Sequence, residues 1–401
     1  MSGGRMPVLD GIRGVAILMV MVFHFWLFGT TTGIGTTLWE RVYSAVAGMG
    51  WIGVDLFFVL SGFLITGILY DSRGSQHYYR VFYARRTVRI FPLYYASLAL
   101  FFWIIPFVLT HLHHGEFTDT HSSVWERLFA WTYLINWYEG VTEFKGMPLP
   151  LAHFWSLAIE EQFYFVWPFL VLTLARRRLM TLCVGLIAFG LVSRMVAYGI
   201  HLPIVAYTWT FCRADSLAVG AVLALAARDL NDWKTVEKCA PFLAISALSA
   251  VVAVRILNPL SVAGPGHDPT FLVGTFGMSF LGIFFGSCLA MSVSSREESF
   301  LRRFLSSPFL RFFGKYSYCL YVCHVPFIVF CARAGLQSDY LARLLHNRFL
   351  AVVVLNGIGF VSTTTIALMS WNLFEKQFLK LKDLPFLQRE ERRPIGVAAE
   401  G

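Results

Sequence analysis

His24 is the residue that most invites chemistry. It lies at the end of "LDGIRGVAILMVMVFHF", residues 9–25, among Val, Met, Phe and Trp. A neutral imidazole in such a place can act as a general base near neutral pH. A carboxylate beside it would set its tautomer and stabilise the imidazolium. Glu160, Asp55 and Glu161 are the carboxylates that could do so, and the sequence does not choose among them. Ser156 and Ser61 are possible nucleophiles, but neither stands in a Gly-x-Ser-x-Gly elbow, so a covalent serine route is not expected.

Arg13 precedes His24 by eleven residues, about three helical turns. The two side chains then share one helix face, roughly 16 Å apart along the axis. Arg86 and Arg89 stand one turn apart as an RxxR pair, with Arg80 and Arg85 close by. Guanidinium groups bind phosphate in bidentate fashion. Topology and lipid headgroups account for Arg80 and Arg85. Arg13, Arg86 and Arg89 are candidates for holding a phosphorylated cofactor, with a long thin arm reaching up the helix to His24. Coenzyme A has that shape, phosphates at one end and a thioester at the other.

The elements that must position these residues are membrane helices. Of 401 residues, 57% are apolar and only 14% charged, too little charge to cover a soluble protein of this size. Mean hydropathy is +0.61. Apolar blocks of about 20 residues alternate with short polar loops, the length that crosses a ~30 Å hydrocarbon core. The fold class is therefore all-α, a polytopic integral membrane protein. Outer-membrane barrels have shorter, alternating strands and are excluded. No cleavable signal peptide is expected at the N-terminus. The net charge of +9 reflects basic loops that fix topology rather than nucleic-acid binding. The seven Cys form no CxxC; Cys319 and Cys323, beside His324, lack the further ligands of a metal site.

Ten spans are expected, at about 9–30, 48–70, 89–109, 153–175, 179–198, 209–227, 241–257, 270–293, 316–334 and 349–371. The loops after the second, fourth, sixth, eighth and tenth are basic, whereas "HLHHGEFTDTHSS", "GIHLPIVAY" and "NPLSVAGPGHDP" hold no Lys or Arg. Both termini are thus expected in the cytoplasm. "RAGLQSDYLARLLHNR" is the exception and reads as an amphipathic segment lying on the outer surface. Trp125–Tyr138 reads as a re-entrant or interfacial helix within a long outer segment, 110–152. Residues 1–382 form the membrane domain and 383–401 a cytoplasmic tail.

Charge inside a span costs a few kcal/mol, so the intramembrane ionisable residues are informative as a set. They are Asp10, Arg13, His24, Asp55, Glu160, Glu161, Arg213, Asp215, His324 and Glu375. Taken singly, Arg213 and Asp215 read as ties between helices and His324 as a group bonded to a backbone carbonyl. Most lie at similar depth on different helices, which one shared polar cavity explains.

The chain resembles acyltransferase family 3, the membrane acyltransferases that O-acylate bacterial surface glycans and some small natural products. The resemblance runs over nearly the whole length. It is carried by "LDGIRGVAILMVMVFHF", "GVDLFFVLSGFLIT", "RRTVRIFPLYY", "FWSLAIEEQFYFVWP" and "GKYSYCLYVCHVPF". It implies a ten-helix core in the bacterial inner membrane and an acyl-CoA, usually acetyl-CoA, as co-substrate. It also implies Arg13 and His24 as an essential pair, with Arg86 and Arg89 in the RxxR motif and Glu160 in the Trp-Ser-Leu…Glu motif. The expected acceptor is a hydroxyl of a glycan, a lipid-linked glycan or a small molecule, with membrane lipids as surroundings and no metal. Many relatives carry an extracellular SGNH-type domain, which is not expected here. A proton-coupled transporter is the rival reading, since it also places ionisable groups at mid-depth.

Overall fold

The computed structural model describes residues 6–29, 37–112, 123–145, 149–257 and 270–384. From residue 385 onward the expected tail lies outside the described residues, as do 113–122 of the outer segment. α1 is Pro7–Gly29, α2 Leu38–Gly48, α3 Gly53–Asp71 and α4 Tyr78–Ala99, which runs through a π-helical turn into α5, Ile105–Leu112. α6 is Val124–Trp131, α7 Ile135–Thr142, α8 Trp155–Thr173, α9 Arg176–Gly199, α10 Pro203–Thr208 and α11 Thr210–Ala226. α12 is Leu230–Leu257, α13 Met278–Ser294, α14 Phe300–Leu305 and α15 Pro308–Arg333. α16 (Ser338–Leu345), α17 (Arg348–Ser370) and α18 (Lys376–Leu379) complete the order. No strand occurs among the described residues.

Nine helical stretches among the described residues are long and apolar enough to cross a membrane. The expected fourth span is α8. Its 19 residues reach about 28 Å, but Glu160, Glu161 and Gln162 in succession dilute its apolar character. The third span begins at Tyr78 rather than 89, so Arg80, Arg85 and Arg86 stand on α4 rather than in a loop. A helix satisfies its own backbone, so it continues through residues whose side chains reach polar surroundings. α2 is an element the hydropathy pattern did not reveal. It starts with a capping box, Thr37 accepting from the Glu40 amide while the Glu40 carboxylate accepts from the Thr37 amide. Trp125–Tyr138 folds as α6 and α7, eight residues each and too short to cross. Tyr133 joins them in the left-handed region, φ 55°. The Tyr94 hydroxyl donates to the Ala130 carbonyl (2.8 Å), and the Gln162 amide donates to the Tyr133 carbonyl (2.7 Å) and Asn136 Oδ1 (2.8 Å). The expected amphipathic segment is α16, with Leu341 buried and Tyr340 and Leu344 exposed.

Ion pairs gather the basic loops on one face. Arg228 grips the Asp71 carboxylate with two N–H groups (3.1 and 2.7 Å), Arg73 donates to the Leu174 carbonyl (2.6 Å), and Arg176 pairs with Asp232. The ends of α3, α8 and α11 therefore meet there, with the starts of α9 and α12. Within the bundle, α1 and α15 run parallel in backbone contact. A Cβ on Gly314 would sit 1.8 Å from the Asp10 carbonyl oxygen, so no side chain fits there. α3 and α11 touch in the same way at Gly220, where a Cβ would lie 1.9 Å from the Val59 carbonyl oxygen.

Two buried ion pairs tie the other half of the bundle. Arg213 donates to Asp55 Oδ1 (2.8 Å), which also accepts from the Ser216 hydroxyl (3.0 Å). The Arg213 guanidinium lies beside the rings of Phe58 and Tyr207. Arg194 donates to Asp215 Oδ2 (2.6 Å), to Ser279 Oγ (2.6 Å) and to the Cys212 carbonyl. Breaking such a pair leaves one buried charge uncompensated, whereas replacing both partners with apolar groups does not. Arg213→Met is therefore expected to cost about 3–5 kcal/mol, and Asp55→Leu combined with it to restore most of the loss. Unfolding in detergent measures this; an Arg213→Met protein as stable as the parent would reject it.

Glu139, on the buried face of α7, is fully enclosed, and neither carboxyl oxygen has a hydrogen-bond partner among the described residues. Burial, then the charge of Glu126, pushes its carboxyl from 4.5 up to about 8. A carboxyl raised on folding stabilises the packed state fully below its ordinary range and loses that contribution as pH climbs through the raised value. Docking of α7 should therefore weaken as pH rises from 4.5 to about 8 and change little above that. Hydrogen exchange of α7 amides, corrected for intrinsic rates, should show this in the parent protein and not in Glu139→Gln. Equal pH dependence in both would refute it.

Candidate active site

A pocket opens between α1, α3, α4, α8 and α15. Its polar lining is Arg13 from α1, Arg86 and Arg89 from α4, Ser61 from α3, Ser156, Glu160 and Tyr164 from α8, and Ser317, Tyr318 and Tyr321 from α15. The three guanidiniums lie close enough to feel one another's charge. Arg86 stacks over the Tyr164 ring, 5.0 Å from its centre. The Tyr164 hydroxyl donates to Glu160 Oε2 (3.0 Å), so its oxygen accepts from the Ser61 hydroxyl (2.6 Å). Arg13 also meets Asp10 loosely, at 3.9 Å. Three arginines and one glutamate on its walls give the pocket a positively charged lining. Phe57, Phe58, Leu60, Leu64 and Leu157 make the rest of it apolar.

Further along α1, three histidines converge. His24 and His324 have ring centres 4.8 Å apart, His153 and His324 5.1 Å, and His24 and His153 6.2 Å. Their hydrogen bonds set the tautomers. His324 Nδ1 lies 2.8 Å from the Tyr321 carbonyl oxygen and 3.0 Å from that of Leu320, so it carries the proton. His324 Nε2 is then an acceptor, and it faces His24 Nδ1 at 3.1 Å. His24 Nδ1 also lies 2.9 Å from the Val20 carbonyl oxygen, so it too is protonated. The lone pair of a neutral His24 is thereby placed on Nε2. His153 donates from Nε2 to the Tyr321 carbonyl (2.8 Å), which leaves Nδ1 buried without a hydrogen-bond partner among the described residues.

The structure thus brings Arg13, Arg86, Arg89 and Glu160 together and sets His24 with His324 and His153. Glu160 bonds within the arginine pocket and Asp55 bonds to Arg213 and Ser216; the partners seen on His24 Nδ1 are an imidazole and a carbonyl. Glu161 lies near Arg86 and Glu160 but does not line the pocket. His324 and His153 were not named as site residues from sequence. His324 carried a signal, being mid-helix in "CLYVCHVPF", with a backbone carbonyl as its expected partner. His153 carried none, since a His at the edge of a span is ordinary. Cys319 and Cys323 have sulfurs 3.7 Å apart, and no group of metal-binding side chains occurs among the described residues.

A family profile described as "Acyltransferase domain" matches residues 6–371. The putative peptidoglycan O-acetyltransferase YrhL of Bacillus subtilis is 32% identical over 346 residues, covering 80% of this chain and 48% of that protein. The peptidoglycan O-acetyltransferase OatA of Listeria monocytogenes is 29% identical over 351 residues, 80% of this chain and 49% of that one. The O-acetyltransferase OatA of Staphylococcus aureus is 28% identical over 379 residues, 87% and 55% of the two chains. The chain spans about half the length of these curated relatives. No solved structure matches it.

Proposed function

This chain belongs to the acyltransferase domain family, and from that premise we propose that it is a membrane O-acyltransferase carrying an acetyl group from cytoplasmic acetyl-CoA to a hydroxyl of an extracytoplasmic glycan. Its place is the bacterial inner membrane, with the basic face toward the cytoplasm as the positive-inside rule requires. The observation that carries the reading is the pairing of an arginine-walled pocket with a His24 whose lone pair is fixed on Nε2.

In this mechanism Arg13, Arg86 and Arg89 hold the donor's phosphates, and Glu160, bonded through Tyr164, balances part of their charge. The acyl arm runs along α1 toward His24. His24 Nε2 removes the proton of the acceptor hydroxyl, whose oxygen attacks the thioester carbonyl. The tetrahedral adduct collapses, the C–S bond breaks, and the leaving thiolate takes the proton back from His24. His324 does for His24 what a carboxylate does in hydrolase triads, holding the tautomer and accepting from Nδ1–H. Asp55 has a structural role here, fixing α3 to α11 through Arg213. The names of the relatives direct the acceptor toward peptidoglycan.

His24→Ala should abolish acetyl transfer while the protein still folds, and His324→Phe should lower turnover by about 10²–10⁴-fold. Mass spectrometry of envelope glycans reads both through the lost acetyl mass, and parental acetylation with His24→Ala would sink the base. Arg86→Ala should weaken acetyl-CoA binding by about 10- to 100-fold. Unchanged affinity in a direct binding assay would reject the phosphate site.

A further inference from the structure

Tyr321 belongs to both halves of the site. Its ring lines the arginine-walled pocket. Its hydroxyl donates to the His153 carbonyl oxygen (2.8 Å), which uses its one proton, so the Ser156 hydroxyl must donate to the phenol oxygen (2.5 Å). Its own carbonyl oxygen accepts from His153 Nε2 (2.8 Å) and from His324 Nδ1 (2.8 Å). Tyr321 and His153 therefore hold each other by two reciprocal bonds, side chain to backbone in both directions. The nearer of the two carbonyls that hold the His324 proton on Nδ1, and so leave its Nε2 to face His24, belongs to the residue whose side chain walls the pocket.

We infer that Tyr321 is a positioning residue that ties the wall of the donor pocket to the alignment of His24, with Ser156 as its anchor on α8. The inference rests on the acyltransferase reading above and adds to it how the two ends of the site communicate. A donor arm reaching the Ser156–Tyr321 pair contacts the side chain whose backbone orients both His324 and His153. Displacement of the phenol shifts the clamp on His153 and the carbonyl that holds the imidazole pair. The phenol itself is not placed as a nucleophile. Its proton goes to a carbonyl oxygen and its oxygen accepts from a serine, so no base activates it.

The test is a double-mutant cycle in membranes carrying the full chain, supplied with radiolabelled acetyl-CoA and scored for alkali-labile label on their own glycan. Ser156→Ala is expected to lower kcat about 10-fold and Tyr321→Phe about 100-fold, the loss that a small misplacement of catalytic groups produces. The double variant should be no slower than Tyr321→Phe, because both substitutions break the same hydrogen bond. KM for acetyl-CoA should stay within about twofold in all three, and Ser156→Thr, which keeps the hydroxyl, should restore most of the rate. Multiplying losses, a raised KM at unchanged kcat, or an acetyl group recovered on Tyr321 after incubation with donor alone would overturn the inference. No label from the parent protein, or full label from His24→Ala, would overturn the acyltransferase reading and this inference with it. Loss with His24→Ala alone would leave that reading standing and reject the role of Tyr321.

Discussion

The 3.1 Å contact between His324 Nε2 and His24 Nδ1 depends on two parallel helices lying with their backbones touching. α1 and α15 meet where Gly314 leaves no room for even a methyl group against the Asp10 carbonyl. From that contact the helices run together to the level of the histidines. An imidazole reaches only a few ångströms from its backbone, so a side chain at the Gly314 contact would part the helices and pull the rings out of hydrogen-bond range. The orientation of the His24 ring is therefore a consequence of interhelical spacing set more than two helical turns away. Apolar surroundings reinforce it, because an imidazole N–H with no water to turn to keeps whatever acceptor the backbone offers.

The same apolar interior sorts the buried charges into two kinds. Arg194 is matched to Asp215, Ser279 and the Cys212 carbonyl, and Arg213 to Asp55 and the Met278 sulfur, and both lie between helices with no access to solvent. Such groups fix register and orientation. Arg13, Arg86 and Arg89 crowd one another with Glu160 as the carboxylate on the pocket wall. Crowded like charges beside an open volume are unfavourable in the empty state and become favourable when an anion enters. The two sets differ in that the first is neutralised pair by pair and the second carries positive charge in excess.

That distinction explains what could be read from the sequence. Periodicity and hydropathy located the helices, and the basic loops located the face on which Asp71, Arg73, Arg176 and Arg228 meet. Arg13, Arg86, Arg89 and Glu160 were legible because guanidinium groups in a span need a reason and their spacings are helical. The partner of His24 was not legible. A carboxylate is the usual companion of a catalytic imidazole, and Asp55 and Glu160 both lay at a plausible depth. Choosing between them needed the neighbours of each, and Arg213 and Tyr164 hold those carboxylates elsewhere. α2 was missed because its exposed Leu38, Trp39 and Val46 blend with Ser44 and Glu40 into no clear span, although Thr37 and Glu40 carried a capping signal.

In the proposed mechanism an imidazole rather than a carboxylate stands behind His24, and this has a consequence for the chemistry. A carboxylate brings a full negative charge, which in a low-dielectric span would need its own counter-ion. His324 brings none when neutral, and its Nδ1–H is already satisfied by the Leu320 and Tyr321 carbonyls. With both imidazoles neutral, the triad-like chain from carbonyl to His324 to His24 carries no net charge, and it becomes charged only when His24 takes up a proton. In a membrane interior that order of events is the cheaper one, since the cost of a buried charge is borne transiently, while the carbonyl dipoles of Val20, Leu320 and Tyr321 already face the two rings.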